Sequence, residues 1–332
     1  MAMAEEGVPE QVAHLVSDPL QGNTDGTAHL SKVAAQLLAN IASEKYAVAL
    51  CGPGGSVILR RLLAASVREG GDAEVGEQVM ELGWLIGHLV YVRGLLPELF
   101  GALAEVQSED NKVGATLDPL QCVLLELLSE EMENGSTRQQ LKVSAEGAPE
   151  KALRSLVFLI TTIRELGYAV AKTGEEAPLE ASVLEAAFQV LKDLFALDDG
   201  GASKASGRNL GSAMCQQGLV PLLLSFLVAL GPIRGRAPRP AGPEAGQASS
   251  TQERPMDSSI TSTAARFPRL PPYLGFRTDI VAVLAHAAYG RREVQDEILR
   301  LGGVHIMLGQ CQVDDASPMV REWALWGFDI CF

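Results

Sequence analysis

The stretch Cys51-Gly52-Pro53-Gly54-Gly55-Ser56 has the glycine density of a loop that cradles phosphate. Such a loop also needs a Gly-Lys-Ser/Thr ending, which sets a lysine against the phosphates, and a strand leading into it. Both are missing, so the stretch reads as a turn between helices. Five histidines, His14, His29, His88, His286 and His305, stand at none of the spacings to Cys, Glu or another His that build a metal site. His88 and His286 lie in apolar helical stretches, where a core ring with one satisfied nitrogen is the simpler reading. Acidic clusters at Glu130, Glu131, Glu133 and at Asp198, Asp199 suit solvated helix ends better than paired general acids. No Gly-x-Ser-x-Gly elbow and no Cys/His nucleophile arrangement occurs. The residue types point away from catalysis, cofactor and metal.

What remains is recognition chemistry near the C-terminus. Trp323 and Trp326, three residues apart, form an exposed aromatic hot spot or staple the last helix to its neighbour. Arg277, Arg291 and Arg292 recruit an acidic partner or form a solvated face at a helix start. These five residues are the candidate partner-binding set.

The elements that must hold them are helices. Apolar residues make up 47% of the chain and aromatics only 5%, so Leu, Ala and Val dominate. Apolar faces at helical spacing recur at Leu30–Ile41, Val57–Leu63, Val79–Val90 and Leu120–Leu128. Asp118-Pro119 suits an N-cap followed by proline at the first helical position. Longer helices are expected over Pro149–Lys172 and Pro178–Leu197. Alternating strand periodicity with hairpin chemistry is absent, so the chain is expected to be all-α.

A glycine leading into a leucine-rich helix appears at Gly55, Gly94, Gly218 and Gly303. The separations of 39, 124 and 85 residues, divided by one, three and two, give about 39 to 43, the length of armadillo or HEAT units. The expected architecture is a right-handed α-solenoid of such repeats over residues 1–230, with a closing unit at 273–332. Between them, residues 231–272 hold 8 of the 17 prolines and a Ser/Thr cluster, and are expected to be a disordered linker. Shorter breaks are expected at 70–76 and 198–207.

Charge and cysteine usage bound the partners. The net charge is −14, all of it within residues 1–230, because 231–332 holds 11 basic and 11 acidic residues. An acidic body repels a phosphate backbone, which argues against nucleic acid. Cys51, Cys122, Cys215, Cys311 and Cys331 lie far apart, as free thiols in a reducing cytosol would. Glu5, Glu6 and Glu10 stand where a signal peptide needs a basic start. The longest apolar run, Leu219–Leu230, is 12 residues and too short to span a bilayer. A cytoplasmic protein without membrane insertion is expected.

Finer wording separates residues 273–326 from the rest. Tyr273-x-Gly275-Phe276-Arg277-x-Asp279, Arg291-Arg292-x-Val294-Gln295-Asp296-Glu297-Ile298, Gly302-Gly303 and Arg321-Glu322-Trp323-x-Leu325-Trp326 closely resemble the C-terminal domain of the ataxin-10 family. Polar loop residues match as well as apolar ones; upstream, the likeness is only in kind. The resemblance implies a cytosolic, armadillo-like, non-enzymatic protein that binds other proteins, associated with cytokinesis and cell survival. Two departures stand out: His286 replaces the family's usual Asn, and Gly327–Phe332 replaces a polar, then leucine-rich continuation, as in a truncated tail.

Three functions compete on these grounds. A non-catalytic scaffold binding other proteins leads, its partner possible also as an identical chain. An importin-like or catenin-like peptide groove would need an Asn ladder, but Asn23, Asn40, Asn111, Asn134 and Asn209 do not make one. An all-α enzyme would need a cluster of ionisable residues that the chain does not show.

Overall fold

The computed structural model describes residues 51–68, 82–104, 117–135, 138–139, 149–173, 177–197, 210–233 and 258–331. Among the described residues there is no strand, so the all-α expectation holds. The helical faces expected at 30–41, the breaks at 70–76 and 198–207, His14, His29 and the Asp198–Asp199 cluster lie outside the described residues. The chain divides into two compact units, Met1–Phe158 and Leu159–Phe332.

The first unit contains α1 (Pro53–Arg68), α2 (Leu96–Leu103), α3 (Pro119–Glu133) and the start of α4 (Pro149–Thr173). Before α2, helical residues 82–87 run into a π-turn, His88–Val92, whose Leu89, Val90 and Tyr91 are buried. Asp118 caps α3 as its position before Pro119 predicts. Its side chain accepts from the Leu120 amide (2.8 Å), while its own amide donates to Gln121 Oε1 (3.0 Å), a reciprocal capping box. Gln121 Nε2 also donates to the Phe100 carbonyl (2.8 Å).

Arg60 of α1 joins these ends. It donates to Asp118 Oδ2 (2.6 Å) and to the carbonyls of Leu103 and Ala104 at the end of α2. A cation at the negative end of a helix is favourable. Gly94, at φ +70, admits the chain of α4: a Cβ there would lie 2.6 Å from the Lys151 carbonyl oxygen.

The second unit is built from the remainder of α4 with α5 (Pro178–Leu197), α6 (Leu210–Gln216), α7 (Leu219–Leu230), α8 (Ser258–Ala264), α9 (Phe276–Ala288), α10 (Arg292–Arg300), α11 (Gly303–Leu308) and α12 (Val320–Cys331). α7 is apolar all round, and such a helix must lie in the interior; most of its residues are buried. α9 is buried at every position except Thr278 and His286, and packs against α5, α7, α10 and α12. Phe188, Phe226 and Phe276 meet edge-to-face at the join of α5, α7 and α9, with centroids 5.5 to 6.3 Å apart. Gly167 makes room for that cluster, because a Cβ there would lie 2.5 Å from Phe226 Cζ.

Two expectations meet a different arrangement. Gly94 and Gly218 (φ +71) are left-handed turns before helices, but Gly55 lies inside α1 and the turn before α11 is made by Gly302 (φ +72), not Gly303. The four glycines are therefore not equivalent. Within the stretch expected as linker, Ser258–Ala264 is helical and packs on α7, with Ile260 and Ala264 buried. Its alternation of Ser and Thr hides a helix because only two apolar side chains carry the face. Residues 234–257 lie outside the described residues.

Candidate functional site

Of the candidate binding set, two arginines are spent inside the fold. Arg277, 5% exposed, donates to Gln310 Oε1 (3.0 Å) and to the Leu230 carbonyl at the end of α7 (3.0 Å), and lies 3.4 Å from Asp314 Oδ2. Burial pulls the Arg277 guanidinium below its ordinary value, while Asp314 opposes the shift. Arg291, also 5% exposed, donates to the His286 (2.8 Å) and Ala287 (3.3 Å) carbonyls at the end of α9, and its guanidinium sits 5.7 Å from the Phe195 ring centroid. Both close helix C-termini. They do not face a partner, which corrects the reading of a solvated basic face. Arg292 does lie at the surface, paired with Asp296 at 3.0 Å, an exposed i,i+4 pair worth about 0.3–0.5 kcal/mol.

Asp279, quoted in the family wording but outside the candidate binding set, centres a buried polar network. Lys192 Nζ (2.9 Å), Gln189 Nε2 (3.3 Å) and the Tyr273 hydroxyl (3.1 Å) all donate to its carboxylate. Burial first, then the Asp279 charge, pushes the Tyr273 phenol well above its ordinary range, so it stays a donor. Gly275 (φ +93) turns the chain into α9, and its amide donates to the Ala316 carbonyl (2.8 Å). A signal for Arg277 was available: at helical spacing it shares a face with Val281, Leu284 and Ala288, all buried.

The tryptophans pack against α9 while Trp326 keeps part of its ring in solvent. On α12, Val320, Ala324 and Gly327 are buried at i, i+4, i+7 spacing. The approach is close: a Cβ at Gly327 would meet Met307 Cε at 2.8 Å and Ala285 Cβ at 3.1 Å. Trp323 and Trp326 flank this seam. His286 lies 5.1 Å from the Trp323 ring and 5.3 Å from that of Trp326, and the two indoles meet at 5.3 Å and 77°. Tyr289 stacks on Trp326 at 5.9 Å and 20°. The rings staple α12 to α9, yet Trp326 remains 37% exposed, Tyr289 52% and Leu325 55%. The arrangement presents amphipathic aromatic surface, the commonest material of protein-binding hot spots.

The glycines of Cys51–Ser56 lead into and form the first turn of α1, not a loop. Burial pushes the Cys51 thiol up to about 11, with the Glu98 charge adding to the shift. The Cys215 and Cys311 thiols are raised too, burial being the largest cause. A raised thiol is the opposite of an activated thiolate, so these three are not poised as nucleophiles. Burial, helped by Arg93, holds the His88 imidazole below its ordinary value. Among the described residues, no group of three or more His, Cys, Asp and Glu stands as a metal site, and no helix is long and apolar enough to cross a membrane.

Residues 276–329 match the family model described as the spinocerebellar ataxia type 10 protein domain. The ataxin-10 homolog of Dictyostelium discoideum is 36% identical over 52 residues, 16% of this chain and 8% of that protein. The homolog of Saccharomyces cerevisiae is 40% identical over 43 residues, 13% of this chain and 8% of its own. Ataxin-10 of Homo sapiens is 23% identical over 52 residues, 16% of this chain and 11% of that protein. The matched stretch thus spans only about a tenth of these relatives' length. An engineered protein of known crystal structure covers 97% of this chain at 15% identity with a TM-score of 0.36, too low to bear on the fold.

Proposed function

We propose, from the match of residues 276–329 to the ataxin-10 family model, that the chain is a non-catalytic, armadillo-type scaffold that binds other proteins through the aromatic surface of α9 and α12. The observation that carries this reading is the ring cluster His286–Tyr289–Trp323–Trp326, anchored at one side and exposed at the other. Large rigid rings give contact area with few rotatable bonds, so ordering them on binding costs little. His286 engages both indoles, which favours an aromatic contact over an amide ladder holding an extended peptide. Cytoplasmic location and a role in cytokinesis or cell survival belong to the same proposal, as implied by the family. Self-association through this surface is its homotypic form.

Affinity capture with the full chain tests it. The Tyr289→Ser/Trp326→Ser variant should keep its helicity by circular dichroism and lose the proteins that the parent retains from cell extract. In sedimentation, it should remain monomeric wherever the parent dimerises. An unchanged set of retained proteins sinks the aromatic surface, and turnover of a metabolite by the purified chain sinks the scaffold.

A further inference from the structure

Among the described residues, the second unit contains a concavity of about 650 Å³ between the end of α4, the start of α5 and the 265–272 segment. Its described lining carries charge opposite to that of the chain. Lys172, Arg266 and Arg269 line it, and among the described lining residues none is acidic, although the chain carries a net charge of −14. All three cations are exposed. None of them forms an ion pair with another described residue.

The floor is built rather than incidental. Tyr168 stacks on Phe267 at 4.8 Å and 12°, and the Arg266 guanidinium lies 4.4 Å from the Tyr168 ring centroid. A cation held over an aromatic face is oriented before any ligand arrives. Pro268, Pro271 and Pro272 stiffen the wall, and Leu270 stands 71% exposed beside the cations.

We propose that this concavity docks a short acidic peptide segment of a partner protein, its carboxylates meeting Lys172, Arg266 and Arg269 and an apolar residue lying against Leu270 and the prolines. Like charge over much of the remaining chain disfavours an acidic ligand elsewhere, so the concavity also sets where such a segment lands. The site is separate from the aromatic surface of α9 and α12, and the two stand or fall independently.

Fluorescence anisotropy with the full chain tests this, using a fluorescein-labelled peptide Asp-Glu-Leu-Asp-Phe-Glu-Asp and a counterpart with lysine at each acidic position. The acidic peptide should bind saturably, more weakly as salt rises, and the lysine peptide should not. Lys172→Glu/Arg269→Glu breaks no contact described above and should weaken binding about tenfold or more. Arg292→Glu/Arg300→Glu makes the same charge change elsewhere and should leave affinity within about twofold, and so should Trp326→Ser. Equal loss in the Arg292/Arg300 variant, binding of the lysine peptide, or no saturable binding of the acidic one overturns the proposal. Full displacement by inorganic phosphate at matched ionic strength also overturns it, by reducing the site to one for simple anions.

Discussion

Asp279→Ala should destabilise the second unit by about 3 kcal/mol, roughly a hundredfold in the folded-to-unfolded ratio. The carboxylate is 8% exposed and its Lys192 partner 19%, so most of the pair is out of water. Removing one partner of a buried pair costs about 3–5 kcal/mol. The lower end applies because the lysine keeps some access to solvent, while the loss of the Tyr273 and Gln189 bonds works against a smaller figure. Lys192→Met alone should cost less, because Asp279 keeps the donors Tyr273 and Gln189. In the double variant no buried ammonium is left uncompensated, so the costs should fall short of additivity by about 1 kcal/mol or more. The assay is urea unfolding read by tryptophan fluorescence in a Trp84→Phe background. Trp323 and Trp326, the other two of the three tryptophans, then report on the second unit alone. If Asp279→Ala stays within about 0.5 kcal/mol of its parent, or if the double variant is simply additive, the network does not hold α9 and the reasoning fails.

Gly167→Ala should destabilise by about 1–2 kcal/mol, because overpacking against Phe226 and Phe267 outweighs the better helix propensity of alanine; a raised Tm would refute the close contact. Gly101→Ala and Gly275→Ala make one chemical change with opposite expected signs. Nothing lies within 4 Å of either added Cβ, but Gly101 is helical and Gly275 has φ +93, so the first should gain up to about 1 kcal/mol and the second lose about as much. Equal signs in a denaturant series would show that backbone conformation is not what separates them. Cys51 should remain a thiol where an unperturbed cysteine has ionised, with an iodoacetamide rate profile centred near pH 11. Its folded value is raised, so the stabilisation it contributes is intact below the unfolded value of about 9 and is lost as pH climbs from there toward 11. A profile centred at or below pH 9 would contradict this.

Local chemistry was readable wherever it was sufficient. α4 and α5 begin at Pro149 and Pro178 as expected, and end within a residue of the expected positions, since proline at the start and apolar spacing are properties of the segment itself. Asp118 was legible for the same reason. Arg277 was not, because its acceptor at Leu230 lies 47 residues away and an arginine near a helix start resembles a solvated one until its face is traced. Asp279 enters the sequence reading only through the family wording, since nothing adjacent announces Lys192 on α5. α8 was hidden by its Ser and Thr content, and the concavity by the separation of Lys172 from Arg266 and Arg269.

Tyr273, Gly275, Arg277, Asp279 and Arg291, which carry much of the family wording, are committed to turning, capping and wiring α9. Leu325, from the same wording, faces solvent and performs none of those tasks. Most of that wording thus records how α9 is held, and under the proposed function only its exposed letters could choose a partner. Two proteins can share every internal letter, be recognised as kin, and still keep entirely different company.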